Sequence, residues 1–158
     1  MNAKINNLVN YFVSLFKPSE IKGTGFSRIV NKKTIDLKED EFKKQLFKFS
    51  EDPKKEWVNP IDILIMSIIS IEKVIKQINL QDCNKFSILW IMCLLNTKYM
   101  SSHDHEHRIS LEFLSNLGGF ELKDYIYFEQ ILLKKLDWRL EISNSDYERL
   151  SNISNGGK

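Results

Sequence analysis

An excess of charge is what this chain lacks first: 23 Lys and Arg stand against 21 Asp and Glu in 158 residues, a formal net charge of +2. The cations are also dispersed rather than striped along one expected helix, which speaks against nucleic acid as a partner held on a basic face. Long hydrophobic runs are missing too. The longest, 61–71 with Asp62 inside it and 86–95, fall well short of the roughly 18 residues that cross a bilayer, so no membrane partner is expected. Residues 1–17 hold only the short apolar stretch from Tyr11 to Phe16 and no small-residue cleavage pattern. No secretory leader is expected, and the cytoplasm or nucleus is the expected compartment.

Catalytic signatures are absent as well. Gly23-Thr24-Gly25 lacks the third glycine and the preceding strand of a phosphate-cradling loop, no strand-turn-helix surrounds a serine nucleophile, and no Cys-His pair has a recognisable spacing. The chain is therefore expected not to be an enzyme, with no small-molecule substrate and no cofactor. Two cysteines, Cys83 and Cys93, are too few for a metal cage, and Cys93 falls in an apolar stretch where a thiol packs as a small hydrophobe. All three histidines lie in His103-Asp104-His105-Glu106-His107. An extended segment would align their imidazoles for zinc or copper, whereas a helix scatters them. The reading taken here is a solvated loop whose acids cap the next helix, with no metal site.

What the chain does have is helical periodicity. With 42% hydrophobic and 28% charged residues it has the make-up of one soluble globular domain. Ile5, Leu8, Val9, Phe12, Leu15 and Phe16 form one apolar face of a helix over 3–16 that Pro18 stops. A second helix, 37–49, places Leu37, Phe42, Leu46 and Phe49 on one side and charge on the other. Asn59-Pro60-Ile61-Asp62 starts a third: asparagine caps, proline suits the first helical position, and the acid faces the positive end of the dipole. That helix is expected to reach Ile78, and the next covers 84–99. Both are apolar on most faces, which requires other helices around them, as in a bundle with a buried hairpin. A helix over 107–117 ends at Gly118-Gly119, another runs over 121–136 with Leu122, Ile126, Ile131, Leu132 and Leu136 available for burial, and Ser143-Asn144-Ser145-Asp146 caps a short last one. Residues 155–158 are expected to fray.

Several of these segments resemble the cyclin box, in particular that of the single-box P-type cyclins, over roughly 26–147. The resemblance rests on Gly118-Gly119 followed by a helix, on Glu129, and on Leu136-Asp137-Trp138-Arg139-Leu140 before Ile142-Ser143. Asn59-Pro60, the segment Ile71-Glu72-Lys73-Val74-Ile75, and Phe26-Ser27 ahead of Ile35-Asp36-Leu37 are similar to further parts of the box. The chain departs from the pattern at Gln45, Phe86-Ser87, Ile126 and Ser101-Ser102, and its histidine loop is longer. The resemblance implies an all-α fold: one five-helix cyclin box over 35–142, an extra N-terminal helix with its lead-in loop over 1–34, and a short C-terminal helix over 143–158.

It also implies a function. Lys98 and Glu129 fall where cyclins keep a lysine and a glutamate that meet in space and hydrogen-bond a partner kinase. Read singly, Lys98 is a snorkelling lysine at the negative end of a helix and Glu129 an exposed acid on an amphipathic one. Read through the resemblance, they form a kinase-binding pair, with Tyr99, Met100, Tyr125 and Phe128 as neighbouring contacts or as core. The expected activity is that of a regulatory subunit that binds and activates a cyclin-dependent protein kinase. The alternative is a cyclin-fold adaptor that binds protein or nucleic acid without engaging a kinase.

Overall fold

The computed structural model describes residues 2–16, 38–50, 59–75, 85–101 and 122–157. These residues are helical apart from helix ends and the segment 136–143, and no strand occurs among them. In chain order the helices are α1 (Asn2–Ser14), α2 (Glu39–Ser50), α3 (Pro60–Val74), α4 (Lys85–Ser101), α5 (Leu122–Lys135) and α6 (Asn144–Ser154). Five other expectations lie outside the described residues: the helix over 107–117, the Gly118-Gly119 stop, the histidine cluster, Cys83 and the loop around Phe26.

Local chemistry sets the helix starts. Asn59 has extended backbone angles and its side-chain oxygen accepts from Ile61 N at 2.9 Å, with Pro60 next in line. Ser143 does the same for α6, accepting from Asp146 N at 3.1 Å. Each cap satisfies an amide that the helix itself leaves without an acceptor.

Packing puts α3 and α4 at the centre. From Ile63 to Ile71 every residue of α3 is buried, as is every residue of α4 from Phe86 to Thr97. The pair runs antiparallel: Asn96 of α4 bonds Ser67 of α3, while the opposite ends meet α1, where Tyr11 bonds Glu72 and Phe12 stacks against Phe86. Around that end an aromatic cluster joins three helices. Phe12 and Phe86 have ring centroids 5.7 Å apart, Phe86 and Phe42 5.8 Å, and Phe42 and Trp90 6.0 Å, which ties α1 and α2 to α4. Burying each such side chain contributes roughly 1.5–3 kcal/mol.

The last helix, α6, lies across α1 and α3. Asn7 Nδ2 donates to Ser154 O at 2.9 Å and Arg149 Nη1 to Tyr11 Oη at 2.9 Å, so α1 and α6 run in opposite directions. Three charged side chains of α3 hold the same C-terminal segment. Asp62 accepts from the Tyr147 hydroxyl, Glu72 Oε1 accepts from Arg149 Nη2 at 2.8 Å, and Lys73 Nζ donates to Glu141 O at 2.9 Å. A helix stop follows α6. Gly156 takes a left-handed φ of 91°, Gly156 N bonds Ile153 O at 3.0 Å and Gly157 N bonds Asn152 O at 2.8 Å. This paired bonding closes the carbonyls that a helix end otherwise exposes.

Candidate protein-docking site around Lys98 and Glu129

Lys98 sits where α4 leaves the core. The buried stretch ends at Thr97, and the Lys98 side chain is 38% exposed in the last turn, where a cation also suits the negative end of the helix dipole. The two side chains that follow, Tyr99 and Met100, are 37% and 48% exposed.

Glu129 arrives from α5. Phe128, Leu132 and Leu136 recur at four-residue steps and are buried, forming the stripe by which α5 packs. Glu129 borders that stripe, between half-buried Ile126 and Leu133, which leaves its side chain only 11% exposed. There it meets Lys98: Nζ stands 2.7 Å from Glu129 Oε1. An ammonium has three donors and a carboxylate up to four acceptor sites, so this bond uses one of each. The two residues lie 31 positions apart in the chain, and the packing of α5 on α4 brings them together.

The remaining sequence candidates divide. Tyr99 and Met100 are on the surface beside Lys98. Phe128 is fully buried, so it belongs to the core rather than to a presented surface. Its position on the Leu132–Leu136 stripe decides this. Tyr125 lies on α5, with its side chain outside the described residues.

Two exposed aromatics were not among those candidates. Tyr127, 48% exposed, packs its ring edgewise on Phe128 at 6.2 Å. Trp138 is 63% exposed and is held out by an unusual turn. Asp137 and Trp138 both take left-handed φ angles, 55° and 60°, while Trp138 N bonds Leu133 O at 2.8 Å and Asp137 N bonds Lys134 O at 3.1 Å. This is the same helix stop that glycine makes at Gly156, here built with side chains that resist it. Leu133, whose carbonyl accepts from Trp138 N, lies one turn beyond Glu129 in the chain. The signal in the sequence was a helix end at Leu136-Asp137-Trp138 with no glycine.

Among the described residues no group of three His, Cys, Asp or Glu could hold a metal ion, and the histidine cluster lies outside them. Cys93 is fully buried, and burial pushes its thiol up to about 12. A thiol so far from ionising is a packing group. No described helix is long and apolar enough to cross a membrane. Comparison of the chain with protein-family models, with curated proteins and with solved structures finds no significant match.

Proposed function

We propose that this chain is a cyclin-like regulatory subunit, without catalytic activity of its own, that binds and activates a cyclin-dependent protein kinase through the surface around Lys98 and Glu129. The finer architecture that goes with this reading is a single five-helix cyclin box over 35–142, flanked by the extra helix α1 and the short helix α6. One observation carries it: Lys98 and Glu129, the two residues singled out by the resemblance, form a 2.7 Å ion pair at the rim of the bundle. Tyr99, Met100, Tyr127 and Trp138 are exposed on the same two helices and the turn after α5. Exposed aromatics and methionine are enriched in protein-binding surfaces.

The chemistry suits a polypeptide partner. Lysine and glutamate can each hold the other while bonding a second polar group, such as backbone at the end of a partner helix. Covering the pair removes it from water, where charge-assisted bonds contribute roughly 1.5–3 kcal/mol each. Removing one member then leaves the other buried and unpaired, at a cost of about 2–5 kcal/mol. Activation follows if the kinase's movable helix is gripped only in the position that places its glutamate against the ATP-positioning lysine. A subunit with higher affinity for that arrangement shifts the kinase toward it by the difference in the two affinities.

The test is binding and activation by purified protein. Mixed with candidate cyclin-dependent kinases, wild-type chain is expected to co-purify and to raise kinase activity. Lys98→Ala and Glu129→Ala are expected to weaken binding about thirtyfold or more, the equivalent of 2 kcal/mol. Equal binding and activation by all three proteins would defeat the reading.

A further inference from the structure

All twelve positions of α4 from Phe86 to Thr97 are buried. A helix covered on every side has no polar face to decide which way it points, so apolar burial leaves its rotation and its slide against α3 poorly fixed. Directional hydrogen bonds can fix both, and buried asparagines are known for setting register in this way. Asn96 is placed to do so. Its Nδ2 donates to Met92 O within α4 at 3.1 Å and to Ser67 Oγ on α3 at 3.1 Å, and Ser67 Oγ donates in turn to Ile63 O at 2.7 Å. One bond crosses from the C-terminal half of α4 to the middle of α3 as a brace, and the other two hold its two side chains to their own helices.

Stability does not explain this asparagine. Asn96 is fully buried, yet among the described residues its Oδ1 accepts no hydrogen bond. A buried acceptor without a donor destabilises a fold, and a leucine of similar volume would carry no such penalty. What the brace does is set the direction of the residues that follow it. Lys98 comes two positions later, and a shift of α4 by one residue turns each of its side chains by about 100°. That is enough to carry Lys98 away from Glu129.

We infer that Asn96, through Ser67, is a positioning residue that fixes the register of α4 and so aims Lys98 at Glu129. The geometric role stands on these bonds, and its bearing on kinase binding rests on the function proposed above. Asn96 is fully buried, so its action on the pair runs through the placement of α4.

A double-mutant cycle on Lys98→Met and Glu129→Gln, read from the unfolding equilibrium, measures how firmly the pair is held without any kinase present. In the wild-type background the coupling is expected to be about fivefold in the unfolding constant. With Asn96→Leu it is expected to fall toward one, while helical circular dichroism is kept and the melting temperature is no lower than that of wild type. Ser67→Ala removes the other end of the brace and is expected to lower the coupling in the same direction; it decides the matter should Asn96→Leu not fold. Unchanged coupling in these variants overturns the inference. So does the absence of coupling in wild type, or a loss of coupling that only accompanies an equal loss of overall stability. Kinase binding measured on Lys98→Ala separates the two readings: wild-type affinity there removes the kinase reading and leaves the register result to the cycle.

Discussion

Arg149 Nη2 lies 2.8 Å from Glu72 Oε1, joining α6 to the last turn of α3 across 77 positions of sequence. The same guanidinium reaches Tyr11 Oη at 2.9 Å and Asp146 Oδ1 at 3.3 Å, so three helices share one cation. The bond to Glu72 holds the Arg149 guanidinium above its already high ordinary pKa. Arg149 remains 42% exposed, so solvent screening limits what the network contributes. Arg149→Leu is expected to cost about 1 kcal/mol, or roughly 2–4 °C in melting temperature for a chain of this size. Differential scanning calorimetry at low and at high salt checks it, with the gap between the proteins narrowing as salt rises.

Two tyrosines should make the fold sensitive to alkali. Burial and then the bond to Glu72 raise the Tyr11 hydroxyl above its usual 10.0, while Arg149 pulls the other way. At Tyr147 the bond to Asp62 comes first and burial second, again raising it. A group whose pKa is higher in the folded state stabilises the fold fully below its unfolded pKa, and that contribution disappears as pH climbs through the folded value. Stability should therefore be level in these terms up to about pH 9.5 and fall above it. Denaturant midpoints of wild type and Tyr147→Phe between about pH 8 and pH 11.5 test this. The variant is expected to start lower and to lose less stability across that window.

Neighbours on α5 should behave in opposite ways. Phe128 is fully buried and Tyr127 is 48% exposed. Phe128→Ala is expected to cost about 3–5 kcal/mol by emptying part of the core, whereas Tyr127→Ala should stay within about 0.5 kcal/mol. If Tyr127 is part of a partner surface, its replacement lowers affinity while the urea midpoint stays in place.

The left-handed turn at Asp137 gives a backbone test. With φ at 55°, a β-branched side chain there meets the carbonyl that follows it, so Asp137→Val should cost about 1–2 kcal/mol. Asp137→Gly relieves the strain but loosens the unfolded chain, and the two effects nearly cancel. Chemical denaturation of both variants distinguishes this turn from an ordinary position of negative φ, where valine would be tolerated and glycine would be the costlier change.

Cys93 should resist thiol reagents in the native state. In a Cys83→Ser background, modification by an aromatic disulfide is expected to proceed only at the rate at which the core opens, and to become fast in denaturant.

Where structure is decided within a few residues, the sequence was a sufficient guide. Asn59-Pro60 and Ser143-Asp146 start helices at the positions their chemistry indicates, because a cap is a bond between residues two or three apart. The spacing of Ile5, Leu8, Val9 and Phe12 named the buried face of α1 for the same reason: a half-covered helix records its orientation in its own pattern. Lys98 and Glu129 were legible as candidates through a family resemblance, since nothing in either segment by itself says that the other is near.

Phe128 shows where that guide left a choice open. As one of several aromatic residues in a row it was equally eligible for the surface, and only the packing of α5 on α4 turned it inward and left Tyr127 outside. Asn96 and Ser67, Arg149 and Glu72, and Tyr147 and Asp62 belong to the same class. Each pair is 29 to 85 residues apart, so its existence depends on how helices dock rather than on how they form.

The amino-acid order thus determined the helices, their caps and the apolar character of α3 and α4. The rotation of α4 belongs to the tertiary structure, because a helix apolar on every side carries no pattern that orients it, and the Asn96 to Ser67 bond joining it to α3 links residues 29 positions apart. With that rotation the tertiary structure also decided which side of the bundle displays a lysine and a glutamate together.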